Sequence, residues 1–179
     1  MKTKGILREV LNTSIYILCI LLFTIFIVKF VCQKTEVVGE SMESTLYDKD
    51  NLIVDKISYR FKDPERFDII VFPSETENNL LIIKRVIGLP GEKVYIDSDG
   101  NIYIDDNILA EHYGNGIMED AGAASAPIFL SEDEYFVLGD NRNHSVDSRY
   151  SQVGIIKRDK IIGKAWLLIW PLSEFKTLN

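Results

Sequence analysis

The chain has 179 residues, with 20 Lys and Arg against 27 Asp and Glu and a hydrophobic fraction of 46%. That length allows one domain with a small insertion, and the ordinary balance of apolar and charged residues excludes wholesale disorder, a collagen-like repeat and a multi-span membrane protein. Residues 1–34 hold Lys2, Lys4, Arg8, Lys29 and Lys34 against the single acid Glu9, which leaves 15 basic and 26 acidic residues in 35–179, a net charge of −11. A body that acidic repels phosphate backbones, so nucleic acid is excluded as a partner.

The first element is apolar. Residues 15–32 read IYILCILLFTIFIVKFVC, broken only by Thr24 and Lys29. As a helix this run spans about 27 Å, close to the roughly 30 Å of a bilayer's hydrocarbon core. Lys29 lies near its end, where the stem can snorkel to the headgroups. The residues that follow, Gln33-Lys34-Thr35-Glu36, lack the small-residue pattern of a cleavage site, which favours a retained anchor over a removable signal. The expected organisation is a cytoplasmic N-terminus over 1–12, a transmembrane helix over 13–33, and an extracytoplasmic body over 34–179; the orientation follows from the bases ahead of the span. Cys19 and Cys32 would lie about 20 Å apart on one helix, too far for a disulfide. The body has no cysteine, and His112 and His144 alone cannot build a metal site, so neither metal nor cofactor is expected.

The body reads as β-structure. Short β-rich runs recur at 51–54, 68–72, 80–87, 93–97, 101–105, 135–138 and 161–169, which indicates a mostly antiparallel sheet folded on itself. The clearest unit is VYIDSDGNIYID (94–105): Val94 and Ile96, then Ile102 and Ile104, alternate with polar positions around the Asp99-Gly100 turn. Gly100 comes too early for a calcium loop. A short helix is expected over 40–47. The Gly- and Ala-rich stretch 111–131 reads as a loop, free to move, on an insertion spanning about 93–134. The run 161–172 is too short and too interrupted for a second span; Trp166 and Trp170 are read first as core residues, with a place near the membrane surface as the alternative.

Three segments could carry chemistry. GDNRNHSVDSR (139–149) is the densest polar cluster; it suits a solvated loop or a cross-braced one that fixes other groups in place. Lys84-Arg85 lies inside an apolar strand, where alternation sends Lys84 and Arg85 to opposite faces. That lysine is either an edge residue that discourages aggregation or a buried amine that loses charge. Ser41, in VVGESMES, is by itself a weak signal.

Taken in this order, the segments resemble the bacterial type I signal peptidases, membrane-bound serine proteases with a lysine base. The family pattern S-M-x-P-T-L appears as SMESTL (41–46), R-G-D-I-V-V-F as RFDIIVF (66–72), K-R-V-I-G-x-P-G-D as KRVIGLPGE (84–92), and G-D-N-R-x-N-S-x-D-S-R as GDNRNHSVDSR. The resemblance implies antiparallel sheets in a barrel-like catalytic domain behind one transmembrane helix. It implies Ser41 as nucleophile and Lys84 as general base. Asp140, Ser145, Asp147 and Arg149 would shape the site, with Ser145 hydrogen-bonded to the lysine and Arg85 structural. The Ser41 N–H is the expected oxyanion donor; where some relatives carry a hydroxyl two residues before the nucleophile, this chain has Gly39, so a backbone group or water would have to complete the hole. Ser44, Phe67, Glu92 and His144 depart from the pattern, Ser44 replacing a proline and Phe67 a glycine.

The implied activity is removal of signal peptides from secreted preproteins at the outer face of the cytoplasmic membrane, after small residues at the first and third positions before the cut. Preproteins and the lipid bilayer are the implied partners; the oligomeric state is left open. A single span and a short insertion look like the Gram-positive branch. Two other readings compete: a Ser-Lys self-cleaving repressor, which would carry a DNA-binding domain where this chain has its apolar span, and an inactive membrane adaptor, which would not need both Ser41 and Lys84.

Overall fold

The computed structural model describes residues 2–77 and 80–178; the side chains of Lys2 and Lys4, on which the orientation argument draws, lie outside what is described. Helix α1 (Lys2–Phe26) continues through a π-helical turn, Ile27–Val31. The apolar stretch within it, Leu11–Val31, has a mean hydropathy of 2.6, and its side chains pack against no part of the body's core. Helical structure stops at Val31, so Cys32 and Gln33 belong to a strand, β1 (Cys32–Glu36), paired along its length with β2 (Asn51–Asp55).

The strands that follow are β3 (Ile69–Pro73), β4 (Leu81–Gly88), β5 (Lys93–Ile96), β6 (Ile102–Ile104), β7 (Asn107–Ile108), β8 (Ile128–Phe129), β9 (Glu134–Leu138), β10 (Ile156–Lys157), β11 (Gly163–Trp170) and β12 (Lys176–Thr177). They form two antiparallel sheets. The larger runs β1-β2-β11-β3-β4-β9-β10, with β12 on β11; the smaller runs β7-β6-β5-β8. The 94–105 unit is the expected hairpin, with Val94 opposite Ile104 and Ile96 opposite Ile102.

Central strands are apolar on both faces because both faces are covered. In β3, Ile69 and Val71 enter one cluster with Met42, Leu46 and Val54, while Ile70 and Phe72 enter another with Val86 and Val137. In β9 the same period of two sends Phe136 and Leu138 toward the smaller sheet, where Ile87, Val94, Ile96 and Ile102 complete a third cluster.

Three expectations are corrected. No helix forms over 40–47: Gly39 and Ser44 hold φ of 90° and 75°, left-handed values that interrupt a helical run, and the segment closes as turns through Thr45 N and Leu46 N on Met42 O. Trp166 and Trp170 are about half exposed, because a register shift between Ala165 and Leu167 turns the inward positions of β11 to Gly163, Ala165 and Leu168. The 111–131 stretch is fastened: Met118, Ala124 and Leu130 are buried beneath the smaller sheet.

Candidate active site

The site begins with a turn and a strand. Ser41 follows the left-handed Gly39, whose N–H is held by Asp48 Oδ1 at 2.9 Å. Lys84 lies on β4, in the portion (81–84) paired with β3 on one edge only; β9 pairs further along, from Arg85 to Gly88. Lys84 Nζ donates to Ser41 Oγ at 2.6 Å and to Ile83 O at 3.1 Å. The lysine is 4% exposed. Burial lowers its pKa from 10.5 to about 8, the cost of desolvating an ammonium outweighing the opposing attraction of Asp147 and Asp140.

What holds the pair together is the 139–149 loop, and it is the braced alternative. Arg85, buried completely, grips Asp140 through Nε (2.8 Å) and Nη2 (2.6 Å). Thr45, on the turn after Ser41, donates to Asp140 Oδ2 at 2.6 Å and accepts from Arg85 Nη2 at 3.2 Å. The buried ion pair therefore ties the nucleophile's turn to the lysine's strand. Asp147 and Arg149 form a second buried pair, Nε to Oδ1 at 2.8 Å and Nη2 to Oδ2 at 2.9 Å, and Asp147 Oδ2 also accepts from Gly139 N at 3.0 Å. Both guanidiniums and both carboxylates carry extra hydrogen bonds, the condition under which buried ions are tolerated.

Asn141 was not singled out in the sequence, yet its N–H reaches Ser41 O (3.1 Å) and its Nδ2 reaches Glu40 O (3.1 Å). Thr45 was missed as well. Both sit inside motif segments already noted, so their polarity next to an apolar strand was the available signal. Gly139 is required by contact: a Cβ there would collide with Ser145 Oγ and with the Ser41 carbonyl.

Ser145 does not do what was expected of it. Its Oγ is buried over Gly139 and has no hydrogen-bond partner among the described residues, while the lysine is satisfied by Ser41 and Ile83. The short turn Arg142–His144 leads directly into Ser145, whose Oγ packs where a Gly139 Cβ would stand.

The departures from the family pattern are physically legible. Ser44, at φ 75°, occupies a conformation closed to proline, whose ring fixes φ near −65°. Phe67, at φ 73°, strains a position suited to glycine, and its ring lies 5.1 Å from that of Tyr113. Tyr113 in turn stacks under the Arg85 guanidinium at 3.7 Å. Glu92 takes Arg66 in a bidentate ion pair, and His144 lines the cleft.

A cleft of about 460 Å³ opens at Ser41 and Lys84 between the 37–42 segment, which bends at Gly39, and residues 80–84 leading into β4, with Val146 and Val153 across it. Among the described residues the Ser41 N–H has no acceptor, and no Cβ contact would occur at Gly39, so the space beside the hydroxyl is open. A nucleophile, an amine of lowered pKa and a free amide N–H at one end of an apolar groove are the parts needed for amide hydrolysis.

A family model described as signal peptidase, peptidase S26, matches residues 8–170. Among curated relatives, a probable signal peptidase I-2 from Synechocystis is 41% identical over 84% of this chain and 68% of its own length. Signal peptidase I P from Bacillus subtilis subsp. natto is 33% identical over 88% of each chain. A solved signal peptidase I from Enterococcus faecalis shares 38% identity, covering 57% of this chain and 97% of its own, with a TM-score of 0.47.

Proposed function

The chain belongs to the signal peptidase family, peptidase S26, and from that membership we propose a reaction for this molecule in which Ser41 attacks the scissile carbonyl and Lys84 carries the proton. The family cleaves signal peptides, so the protein is a serine endopeptidase acting on preproteins that bear them. The observation that supports the assignment of roles is the 2.6 Å contact between Ser41 Oγ and a buried Lys84 Nζ.

Lys84 must be neutral to accept the serine proton. At an ordinary lysine pKa of about 10.4, fewer than one amine in a thousand is neutral at pH 7; at about 8 roughly a tenth are. The proton taken from Ser41 is returned to the leaving amine, and the freed lysine activates water for deacylation. The Ser41 N–H donates to the oxyanion. Asp140, Asp147 and Arg149 act by bracing the loop, with Arg85, Thr45 and Asn141. Ser145 packs against Gly139.

The substrate enters as an extended strand. The 81–84 stretch has an edge free of β9, and 37–41 faces it, so a peptide laid between them would gain main-chain hydrogen bonds while alternate side chains enter the groove. Val37, Ile83 and Val153 narrow that groove to small side chains, which supports selection of small residues at the first and third positions before the cut. Leu11–Val31 anchors the enzyme in the bilayer with its N-terminus cytoplasmic and the body outside, where exported chains emerge.

The deciding experiment incubates the detergent-solubilised full chain with a preprotein and identifies the product's N-terminus by mass spectrometry. One cut is expected, and Ser41→Ala and Lys84→Ala should each abolish it while circular dichroism is unchanged. Cleavage at the wild-type rate by either variant would remove the dyad.

A further inference from the structure

Another pocket, which shares no lining residue with the Ser41–Lys84 cleft, is tied through Lys56 to the end of the apolar helix. It encloses about 220 Å³, several times the roughly 30 Å³ of a water molecule, and its walls include Lys56, Arg60, Arg158 and a single acid, Asp159. Lys56 Nζ reaches Lys29 O at 3.2 Å and Lys56 N reaches Val31 O at 2.9 Å, while the Arg60 guanidinium lies 6.0 Å from the Phe30 ring. These are the last residues of the stretch Leu11–Val31.

The charges here are unusual for this chain. Acids outnumber bases 26 to 15 in 35–179, yet among the described residues neither Lys56 nor Arg60 has a carboxylate partner. Arg158 is already fixed in place, by Asp63 at 2.9 Å and by the carbonyls of Tyr59 and Lys62. Phe61, next in sequence to the pocket's Arg60, is 85% exposed. Unneutralised cations around a hollow, an exposed aromatic at its side and an apolar helix ending at its wall are the features of an interfacial anion site.

We propose that this pocket binds the phosphate headgroup of an anionic phospholipid from the leaflet in which the helix ends, with Lys56 and Arg60 contacting the phosphate, Arg158 supporting them, and Phe61 seated among the acyl chains. Headgroups occupy the few ångströms just beyond the hydrocarbon core, which is the level of Val31 and therefore of the pocket. The proposal rests on α1 lying in a bilayer and is independent of the roles of Ser41 and Lys84.

The test reconstitutes the full chain in vesicles of phosphatidylcholine with or without phosphatidylglycerol and measures the lipid retained on the extracted protein by native mass spectrometry. The wild type should retain phosphatidylglycerol selectively, and Lys56→Gln/Arg60→Gln should lower that selectivity about 30-fold, on the order of a factor of five per cation. A charge-matched control, Lys157→Gln/Lys176→Gln, should leave it intact, and cleavage of a short soluble peptide should be unchanged in both variants. Equal retention of the two lipids by the wild type, or equal selectivity in the double variant, would overturn the site. Displacement of the lipid by glycerol 3-phosphate at equal concentration would assign the pocket to a soluble phosphate instead. Failure of the wild type to float with phosphatidylcholine vesicles would overturn the pocket together with the anchor.

Discussion

Lys84 carries opposite consequences for stability and for rate. Its pKa is lowered on folding, from 10.5 to about 8, so below about 8 the folded protein holds a buried ammonium that the unfolded chain would solvate. Stability therefore rises with pH between about 8 and 10.5, and the penalty at neutral pH is about 3 kcal/mol. Lys84→Met should abolish cleavage yet unfold at a higher temperature than the wild type at pH 7, a gap that closes above about pH 10 in a thermal-melt series. The wild-type kcat/KM should climb about tenfold per pH unit up to about 8 and then level off; a profile flat from pH 6 to 9 would exclude a lysine base. Phe67 offers a separate measurement. Its left-handed φ of 73° costs a side chain about 1 kcal/mol that glycine avoids, so Phe67→Gly should exceed Phe67→Ala in stability by about that amount in urea titrations.

At the scale of elements, the Arg85–Asp140 pair joins β4 to the loop after β9 and, through Thr45, to the turn after Ser41. Asp140→Ala leaves a fully buried guanidinium without its carboxylate and should destabilise the fold by about 3–5 kcal/mol, read as a fall in the urea midpoint; Asp140→Leu with Arg85→Met should recover part of that loss. Much of this level was legible in the residues. β3, β4 and β9 announce themselves by apolar runs, the 94–105 hairpin by its alternation and Asp-Gly turn, and Lys84 by a charge amid isoleucines. What was not legible depended on partners distant in sequence. β1 is mostly polar and its first residues read as the tail of the anchor until β2 pairs with it. The 40–47 turn looks helical until the left-handed Ser44 is known. The 111–131 stretch has no period of its own; its order comes from Met118 and Ala124 under the smaller sheet and from Glu111 on Arg142 at 2.8 Å. Ser145 was misjudged because its hydroxyl's surroundings are set by how the loop packs on Gly139, which the order of residues does not show.

For the whole molecule, the division of labour between helix and body is testable. None of the three apolar clusters draws on residues before Val37, so a chain starting at Cys32 should fold on its own and cleave a short peptide within about tenfold of the full chain. Its processing of membrane-tethered preproteins should fall by about 10²-fold or more, because the two reactants no longer share a surface.

The junction at Val31 and Cys32 leaves no slack: the helical region ends at one residue and a five-residue ladder with β2 starts at the next. A body mounted so stiffly cannot roam on a tether. With α1 in the bilayer, the catalytic groove is held at one height above the lipid, and the enzyme becomes a gauge as well as a blade, accepting bonds that arrive at that height and passing over equally cleavable ones nearer or farther from the membrane.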